Sequence, residues 1–329
     1  MKIGILVYSS QANLRSRWLP SDIKMLANAA KSQGHEVKIF RSSKCQLFYA
    51  NSRMRVLYAG KKFPVIDMMI PRPTVLDNAD LELTLNKHLL LMGIPMLNGY
   101  MPVLRAKNKI RMLQILTHKG IKVPKTVVLK RLEYMDDAIA RVGGFPVIIK
   151  TPHGSFGKGV AIVESRRSLL SSLDILWAQS ANRNLLIQEY VAESEGRDIR
   201  AFVVGNNVIA SMERQSTEGD FRSNINNGGT GVSMELTAEE ITLSLKATEA
   251  LNLDISGVDI LRTKNGPVVM EINANPGLEG ITEVTGIDVA GAIIDFAVSK
   301  VKAAADHKAL YPDEEPEEVS MQDEPNAVI

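Results

Sequence analysis

The 329-residue sequence has one cysteine, five histidines, two tryptophans and no long apolar run. Each scarcity excludes something. Cys45 alone cannot close an internal disulfide, so a reducing compartment is expected, with Cys45 as a small half-buried side chain. Scattered histidines and a lone cysteine argue against a zinc site and against a Cys/His or Ser/His/Asp nucleophilic set. No stretch approaches the roughly 20 apolar residues that span a bilayer. The apolar run at residues 1–8 is too short for the core of a signal peptide and reads as a strand. A cytoplasmic protein with no membrane partner is expected. The bases are scattered and not interleaved with aromatics, so direct nucleic-acid binding is not expected either.

The net charge of +2 conceals an asymmetry. From Pro312 onward there are seven acids and no lysine or arginine. Without them the body holds 39 bases against 30 acids, a charge of +9 that suits anionic partners such as nucleotides or acidic peptides. The acidic stretch, residues 306–329, reads as a solvated, disordered tail.

Residues 1–105 alternate strand and helix patterns. Apolar runs at 2–8, 36–40, 65–70 and 96–98 read as strands, and 22–33 and 80–92 have helical spacing. This is a small parallel α/β unit. It lacks a Gly-x-Gly-x-x-Gly turn, since Val7-Tyr8-Ser9-Ser10 follows the first strand, so a dinucleotide site is not expected. Residues 106–190 begin with a helix at 107–118. They continue through strands at 126–129, 146–150, 160–164 and 184–191, with helices at 135–142 and 169–178. Residues 191–305 are dominated by two hairpins, 198–204 with 208–215 and 256–262 with 267–273, covered by helices at 238–251 and 289–304. The overall class is α/β, becoming α+β in the C-terminal part.

The most specific motif is Glu271-Ile272-Asn273-Ala274-Asn275-Pro276-Gly277, at the end of an apolar strand. Side chains at i and i+2 of a strand share a face, so Glu271 and Asn273 project together. One charged and one neutral oxygen donor suit a hard cation such as Mg2+. Asp259, in the preceding strand, is the natural third ligand. A three-residue loop Lys264-Asn265-Gly266 sets Asp259 opposite Glu271, whereas a two-residue turn sends it to the other face. The bland alternative is a pair of facing acids satisfied by arginine or lysine.

Three weaker signals accompany it. Lys150 precedes a loop with Gly154, Gly157 and Gly159, whose backbone N–H groups can approach phosphate oxygens while Lys150 reaches a phosphate. It is not a Walker A loop, because Gly159 stands where Ser or Thr is needed. Alone, it could equally be a glycine-rich turn. Gln188-Glu189-Tyr190 ends a strand where backbone groups can meet an adenine edge, and Asp198 can accept from ribose hydroxyls. The alternative is a solvated strand end. Arg200 and Arg214 can lie on adjoining strands with forks suited to carboxylate or phosphate. Arg222, in a Gly- and Asn-rich loop, can neutralise a transferring phosphoryl group.

In this order these residues resemble the RimK-type α-L-glutamate ligases of the ATP-grasp superfamily. The resemblance covers about residues 1–300. It rests on Ala106-Lys107-Asn108-Lys109, Ile148-Ile149-Lys150, Gln188-Glu189-Tyr190, Arg197-Asp198-Ile199-Arg200, Gly219-Asp220-Phe221-Arg222-Ser223-Asn224, Gly257-Val258-Asp259 and Glu271-Ile272-Asn273 with the following Asn275-Pro276-Gly277-Leu278-Glu279-Gly280. It implies an ATP-grasp fold behind a pre-ATP-grasp domain. It further implies that Lys109 and Lys150 contact ATP phosphates, Glu189 and Tyr190 hold adenine, and Asp198 holds ribose. Arg222, Ser223 and Asn224 would also contact the nucleotide. Asp259, Glu271 and Asn273 would bind two Mg2+ or Mn2+ ions. The implied reaction adds L-glutamate to a carboxylate acceptor through an acyl-phosphate, with Arg222 and Arg214 as the candidate electrophilic donors. The acceptor would be a protein C-terminus such as that of a small-subunit ribosomal protein, and a homo-oligomer is expected. The rival readings are a ligase for a small molecule or cofactor, and a nucleotide-binding regulator without turnover. Two features depart from the family's pattern: the acidic tail, and a longer segment at residues 9–20.

Overall fold

The computed structural model describes residues 1–8, 19–73, 79–152, 159–178, 184–194, 196–216 and 229–310, with backbone only at 174–178 and 307–310. The chain opens with strand β1 (Lys2–Val7), helix α1 (Ser21–Ser32) and strand β2 (Glu36–Arg41). An antiparallel meander follows: β3 (Cys45–Ala50), β4 (Arg53–Tyr58) and β5 (Lys61–Lys62). Strand β6 (Met68–Arg72) then precedes helices α2 (Ala79–Glu82), α3 (Thr84–Leu91), α4 (Tyr100–Lys107) and α5 (Lys109–His118). β1 lies between β2 and β6, parallel to both. A central parallel strand is covered on both faces, which is why residues 3–7 are an unbroken buried run. Gly4 is required there, because a Cβ would meet the Met69 thioether at 2.8 Å.

Several expectations change in this part: the strand expected at 65–70 is Met68–Arg72, and the helix expected at 80–92 is two helices, α2 and α3. The strand at 96–98 is a single bridge from Met96 to Met69. The helix expected at 107–118 is interrupted at Asn108, whose side-chain oxygen accepts from the Ile110 and Arg111 N–H groups at 3.0 and 3.1 Å and so starts α5 at Lys109. The β3–β4–β5 meander had no counterpart in the sequence reading. Its strands alternate poorly, with Phe48, Tyr49 and Met54 all exposed.

Next come β7 (Thr126–Leu129), α6 (Met135–Val142), β8 (Val147–Lys150), β9 (Val160–Val163), α7 (Arg166–Ala178) and β10 (Leu185–Glu189). The four strands form one antiparallel sheet in the order β7–β10–β8–β9. Its core is its own: Leu129, Ile139, Val147, Ile149, Leu173 and Ile187 belong to a cluster containing only residues from 129 to 187.

The remainder comprises β11 (Arg197–Val204), β12 (Asn207–Gln215), β13 (Thr230–Ser233), α8 (Ala238–Ala250), β14 (Ile255–Thr263), β15 (Gly266–Asn273), α9 (Glu279–Thr285) and α10 (Val289–Leu310). Its antiparallel sheet runs β13–β12–β11–β14–β15. One face, with Ile199, Val203, Val258 and Ile272, packs with Leu6, Phe40 and Leu116. The other, with Phe202, Val204 and Ile255, packs with Ile3, Ile23 and Ile293. Both cores thus include residues of the N-terminal parallel unit. Among the described residues no helix is long and apolar enough to cross a membrane.

Both hairpins of this sheet turn in two residues, not three. Val204 pairs with Asn207 and Thr263 with Gly266. Each hairpin then carries a bulge. Ile209 is extra between the Phe202–Ala210 and Val203–Val208 pairs, and Met270 is extra between Asp259–Glu271 and Ile260–Val269. Met270 explains why Val269 and Ile272, three apart, both point into one core. Asp259 does lie opposite Glu271, as expected, but the odd residue is in the strand and not in the loop.

Candidate active site

The site is a row of side chains across four strands. Asp198 on β11 pairs in register with Arg214 on β12, Arg200 with Asp259 on β14, Asp259 with Glu271 on β15, and Gly257 with Asn273. All lie on one face, while Ile199, Val258 and Ile272 turn to the opposite one. The two bulges decide this. Without Ile209 the β12 register would shift by one and turn Arg214 away, and the same holds for Glu271 and Met270.

Asp259 is buried. It accepts from Arg200 Nε and from Arg200 Nη2 at 2.9 Å, while Arg214 Nη2 stands 3.0 Å from its Oδ1. Arg214 Nε and Nη2 donate to the two oxygens of buried Asp198 at 2.6 and 2.7 Å. The forks expected to bind carboxylates therefore do so, on the protein's own acids. Gly257 makes room for this, since a Cβ would stand 3.0 Å from Arg200 Nη1 and 2.9 Å from Pro276. Asn273 Nδ2 donates to Asp259 Oδ2 at 3.4 Å, a long contact. Lys109, the first residue of α5, places Nζ 3.2 Å from Glu271 Oε1.

Burial by itself would raise both carboxyls. Arg200 and Arg214 outweigh it at Asp259, and Lys109 and Lys150 at Glu271, so both sit below the ordinary carboxylate range. Ionised oxygen donors with a neutral amide beside them fit a hard divalent cation, with Asp259, Glu271 and Asn273 as its holders. The arrangement also satisfies the bland alternative of acids paired by arginine and lysine. Asn273, on the same face, donates to Asp259 under either reading. Among the described residues no group of three or more histidine, cysteine or acidic side chains gathers as a metal cluster.

Lys150, buried at the end of β8, has Glu271, Lys109, Asp259 and Asp198 as its charged neighbours. Its ammonium is pulled down to about 8, first by burial, with Lys109 adding repulsion that the three acids oppose. The four-stranded sheet thus aims a lysine at the carboxylates of the five-stranded one. The junction is tied through the Lys109 N–H, which donates to the Pro152 carbonyl at 3.2 Å.

Glu189 and Tyr190 are half-buried at the end of β10. Glu189 Oε1 accepts from the Lys125 N–H at 2.8 Å, which ties β10 to the start of β7. In register Glu189 meets Val147 and Leu186 meets Lys150, so Glu189 stands three residues along β8 from the lysine. Arg222, Ser223, Asn224 and most of the glycine loop lie outside the described residues.

Two further basic residues, Arg72 and Lys107, have no role assigned by the sequence. Arg72 ends β6, is buried, and donates through Nη2 to Asp22 Oδ2 at 2.9 Å and to the Pro276 carbonyl at 2.8 Å. Lys107 ends α4, with Glu271, Lys109 and Arg72 as its charged neighbours. Burial first, then Lys109 and Arg72, pull its ammonium down to about 8 against the opposing pull of Glu271. The one signal at Arg72 is a charged residue at the end of the apolar run Met68-Met69-Ile70-Pro71.

Comparison with known proteins comes down on one family. Residues 106–297 match the model of the RimK-like ATP-grasp domain, and residues 1–100 match that of the RimK PreATP-grasp domain. A protein of Maridesulfovibrio salexigens named probable alpha-L-glutamate ligase is 39% identical over 299 residues, covering 90% of this chain and 95% of its own. One of the same name from Coxiella burnetii is 38% identical over 305 residues, 92% and 97% of the two chains. Among solved structures, a RimK domain ATP-grasp protein from Sphaerobacter thermophilus superposes with a TM-score of 0.68 at 21% identity, covering 90% and 99%. The ATP-grasp ligase PsnB, complexed with minimal precursor, Mg and ADP, superposes at 0.67 and 16% identity, covering 91% and 98%.

Proposed function

This chain belongs to the RimK-like ATP-grasp family and has the ATP-grasp ligase fold, and from that premise we propose that it adds L-glutamate to a carboxylate acceptor at the expense of ATP. The observation that carries the proposal is the row Asp259, Glu271 and Asn273, faced by Lys109 from α5 and Lys150 from the other sheet.

A carboxylate is a poor electrophile, because its charge repels an attacking amine. In the proposed reaction an acceptor carboxylate oxygen attacks the γ-phosphorus and ADP leaves. The amine of glutamate then attacks the acyl-phosphate carbon, loses a proton and expels inorganic phosphate. Lys109 and Lys150 hold the phosphates. Glu189 and Tyr190 hold the adenine, three residues or roughly 10 Å along the strand from Lys150. Asp198 accepts from Arg214 with both oxygens, so a ribose hydroxyl would share them and the pair would orient Arg214 toward the reacting phosphoryl group. Asp259, Glu271 and Asn273 would hold two Mg2+ or Mn2+ ions, which when bound supply charge neutralisation for phosphoryl transfer. Arg222, Ser223 and Asn224 are assigned to the nucleotide from the sequence alone.

The proposed acceptor is a peptide C-terminus, in the first instance that of a small-subunit ribosomal protein. Relatives named probable alpha-L-glutamate ligase support glutamate as the donor, and PsnB, solved with a precursor peptide, supports a peptide acceptor. The test is mass spectrometry of products after incubation with Mg-ATP, labelled glutamate and cell extract. A protein carrying added glutamate residues at its C-terminus is the expected result. Label found only in a small molecule would replace the peptide acceptor, and nucleotide binding with no incorporation would replace the ligase reading.

A further inference from the structure

We propose that Asn98, together with the Arg72–Asp22 pair, positions the metal-holding end of β15, so that the N-terminal parallel unit takes part in binding the cation. The inference rests on the assignment of Asp259, Glu271 and Asn273 to a divalent ion and adds the residues that aim them.

The ladder between β14 and β15 stops at the pair Gly257–Asn273, so Asn273 is the last residue of its strand. A side chain at a strand end points where the backbone on both sides of it leads. Beyond Asn273 no strand neighbour fixes that backbone, and Asn98 does so instead. Asn98 is buried, and its amide uses its full hydrogen-bonding capacity there. Nδ2 donates to the carbonyls of Ile255 and Ala274, both at 2.8 Å, and Oδ1 accepts from the Asp254 and Ile255 N–H groups at 2.7 and 2.9 Å. One side chain thus bridges the start of β14 to the residue after Asn273, at the point where the ladder has ended.

The chain that follows is held from the parallel sheet and α1. Arg72 Nη2 donates to the Pro276 carbonyl at 2.8 Å and to Asp22 Oδ2 at 2.9 Å. Asp22 Oδ1 accepts from the Leu278 and Glu279 N–H groups at 3.0 and 3.3 Å. The Leu278 side chain is fully buried in a core with Ile23, Leu26 and Leu97. Ala274, Pro276, Leu278 and Glu279 are therefore each fixed by a side chain of the N-terminal unit. This segment runs directly on from Asn273, so its placement sets the direction of that amide relative to Asp259 and Glu271. Groups one step behind metal ligands orient them and tune affinity in this way.

The competing reading is that these bonds only fasten two units together. The two shared cores already do that. Apolar packing is non-directional, however, and does not aim a backbone carbonyl.

The test reads metal affinity apart from turnover. The full chain is titrated with Mn2+ at fixed AMPPNP, against a protein-free reference, and free Mn2+ is followed by electron paramagnetic resonance. Urea unfolding of the same samples reads stability. Asn98→Ala and Arg72→Gln are each expected to weaken Mn2+ binding about tenfold or more. Arg72→Lys can still place one nitrogen between Asp22 and Pro276, and is expected to recover most of the loss. Glu240→Ala breaks the buried capping carboxylate's pair with Arg262 at the other end of β14. It is expected to lower the unfolding midpoint and to leave Mn2+ binding within about twofold of wild type. Mn2+ affinity that falls equally in Glu240→Ala, or that stays at the wild-type value in Arg72→Gln, overturns the positioning role. Arg72→Gln decides alone if Asn98→Ala does not fold. A wild type that binds no Mn2+ with the nucleotide removes the metal assignment, and the positioning role goes with it. The titration needs neither acceptor nor glutamate, so a failed ligase assay and a failed positioning role are separate results.

Discussion

The two antiparallel sheets are built on opposite plans. The four-stranded sheet, β7–β10–β8–β9, packs with α6 and α7 around a core drawn only from its own residues, and its ion pairs Arg131–Glu133 and Arg166–Asp136 are exposed. The five-stranded sheet buries both faces in cores shared with the N-terminal unit, and its ion pairs Arg200–Asp259 and Arg214–Asp198 are buried. A sheet with a private core can shift as a unit without opening the rest. A sheet clamped on both faces cannot. The carboxylates sit on the clamped sheet, and Lys150, the proposed phosphate contact, sits on the other.

The sharpest way to break this contrast is chemical. Glu271→Gln keeps the shape of the row but removes its charge. Under the proposed role it lowers kcat about a thousandfold or more, in line with losing charge stabilisation of a transferring phosphoryl group. Activity within tenfold of wild type would remove Glu271 from the metal site.

Next in size is stability. Arg214→Met leaves Asp198 and part of Asp259 buried without their partner, a loss of about 3–5 kcal/mol. On the helices covering the four-stranded sheet, Arg166→Ala removes an exposed pair with Asp136 worth at most about 1 kcal/mol. Urea unfolding of both variants checks the ratio, and similar losses would contradict the two plans.

Hydrogen exchange sharpens the contrast further. Amides of β7 to β10 are expected to exchange through a partial opening of lower free energy than those of β11, β14 and β15. Mg-nucleotide should slow them, because Lys150 and Lys109 then share a ligand. A single exchange barrier for both sheets would mean that they open together.

The smallest effect is on pH. The Lys150 ammonium titrates near 8 in the free protein because it is buried beside Lys109. Phosphate favours its charged form, so nucleotide binding raises that pKa. Binding is then independent of this group well below pH 8 and takes up a proton above it, with affinity falling at most tenfold per pH unit. Calorimetry at pH 7 and 8.5, in buffers of different protonation enthalpy, reads the uptake directly. Equal proton uptake at the two pH values would exclude it.

Much of the architecture was legible because local rules and burial agree. Helix α6, with Met135, Ala138, Ile139 and Val142 buried on one stripe, has the boundaries its periodicity gives. Strands β7 and β8 are apolar runs bounded by turn residues. The β3–β4–β5 meander was not legible, because exposed Phe48, Tyr49 and Met54 erase the alternation that marks a strand. Arg72 is not legible for a related reason: in isolation it is an ordinary surface base.

The hairpin turns show where local reasoning stops. The sequence pattern places a three-residue loop in each and both are two-residue turns, yet Asp259 still faces Glu271 because Met270 bulges. An extra residue in the loop and one in the strand give the same parity, and no side-chain pattern separates them.

The chain's own order of residues fixed its α/β class, the apolar runs that become strands, and the pairing of Glu271 with Asn273 on one face, since each depends on near neighbours and on the period of the backbone. Tertiary structure alone decided that Arg200 and Arg214 neutralise Asp259, that Lys150 crosses from one sheet to face the other, and that Arg72 joins Asp22 to the loop after β15. Those contacts join residues far apart in the chain, and which of them form depends on where bulges fall and on which faces the packed cores leave open.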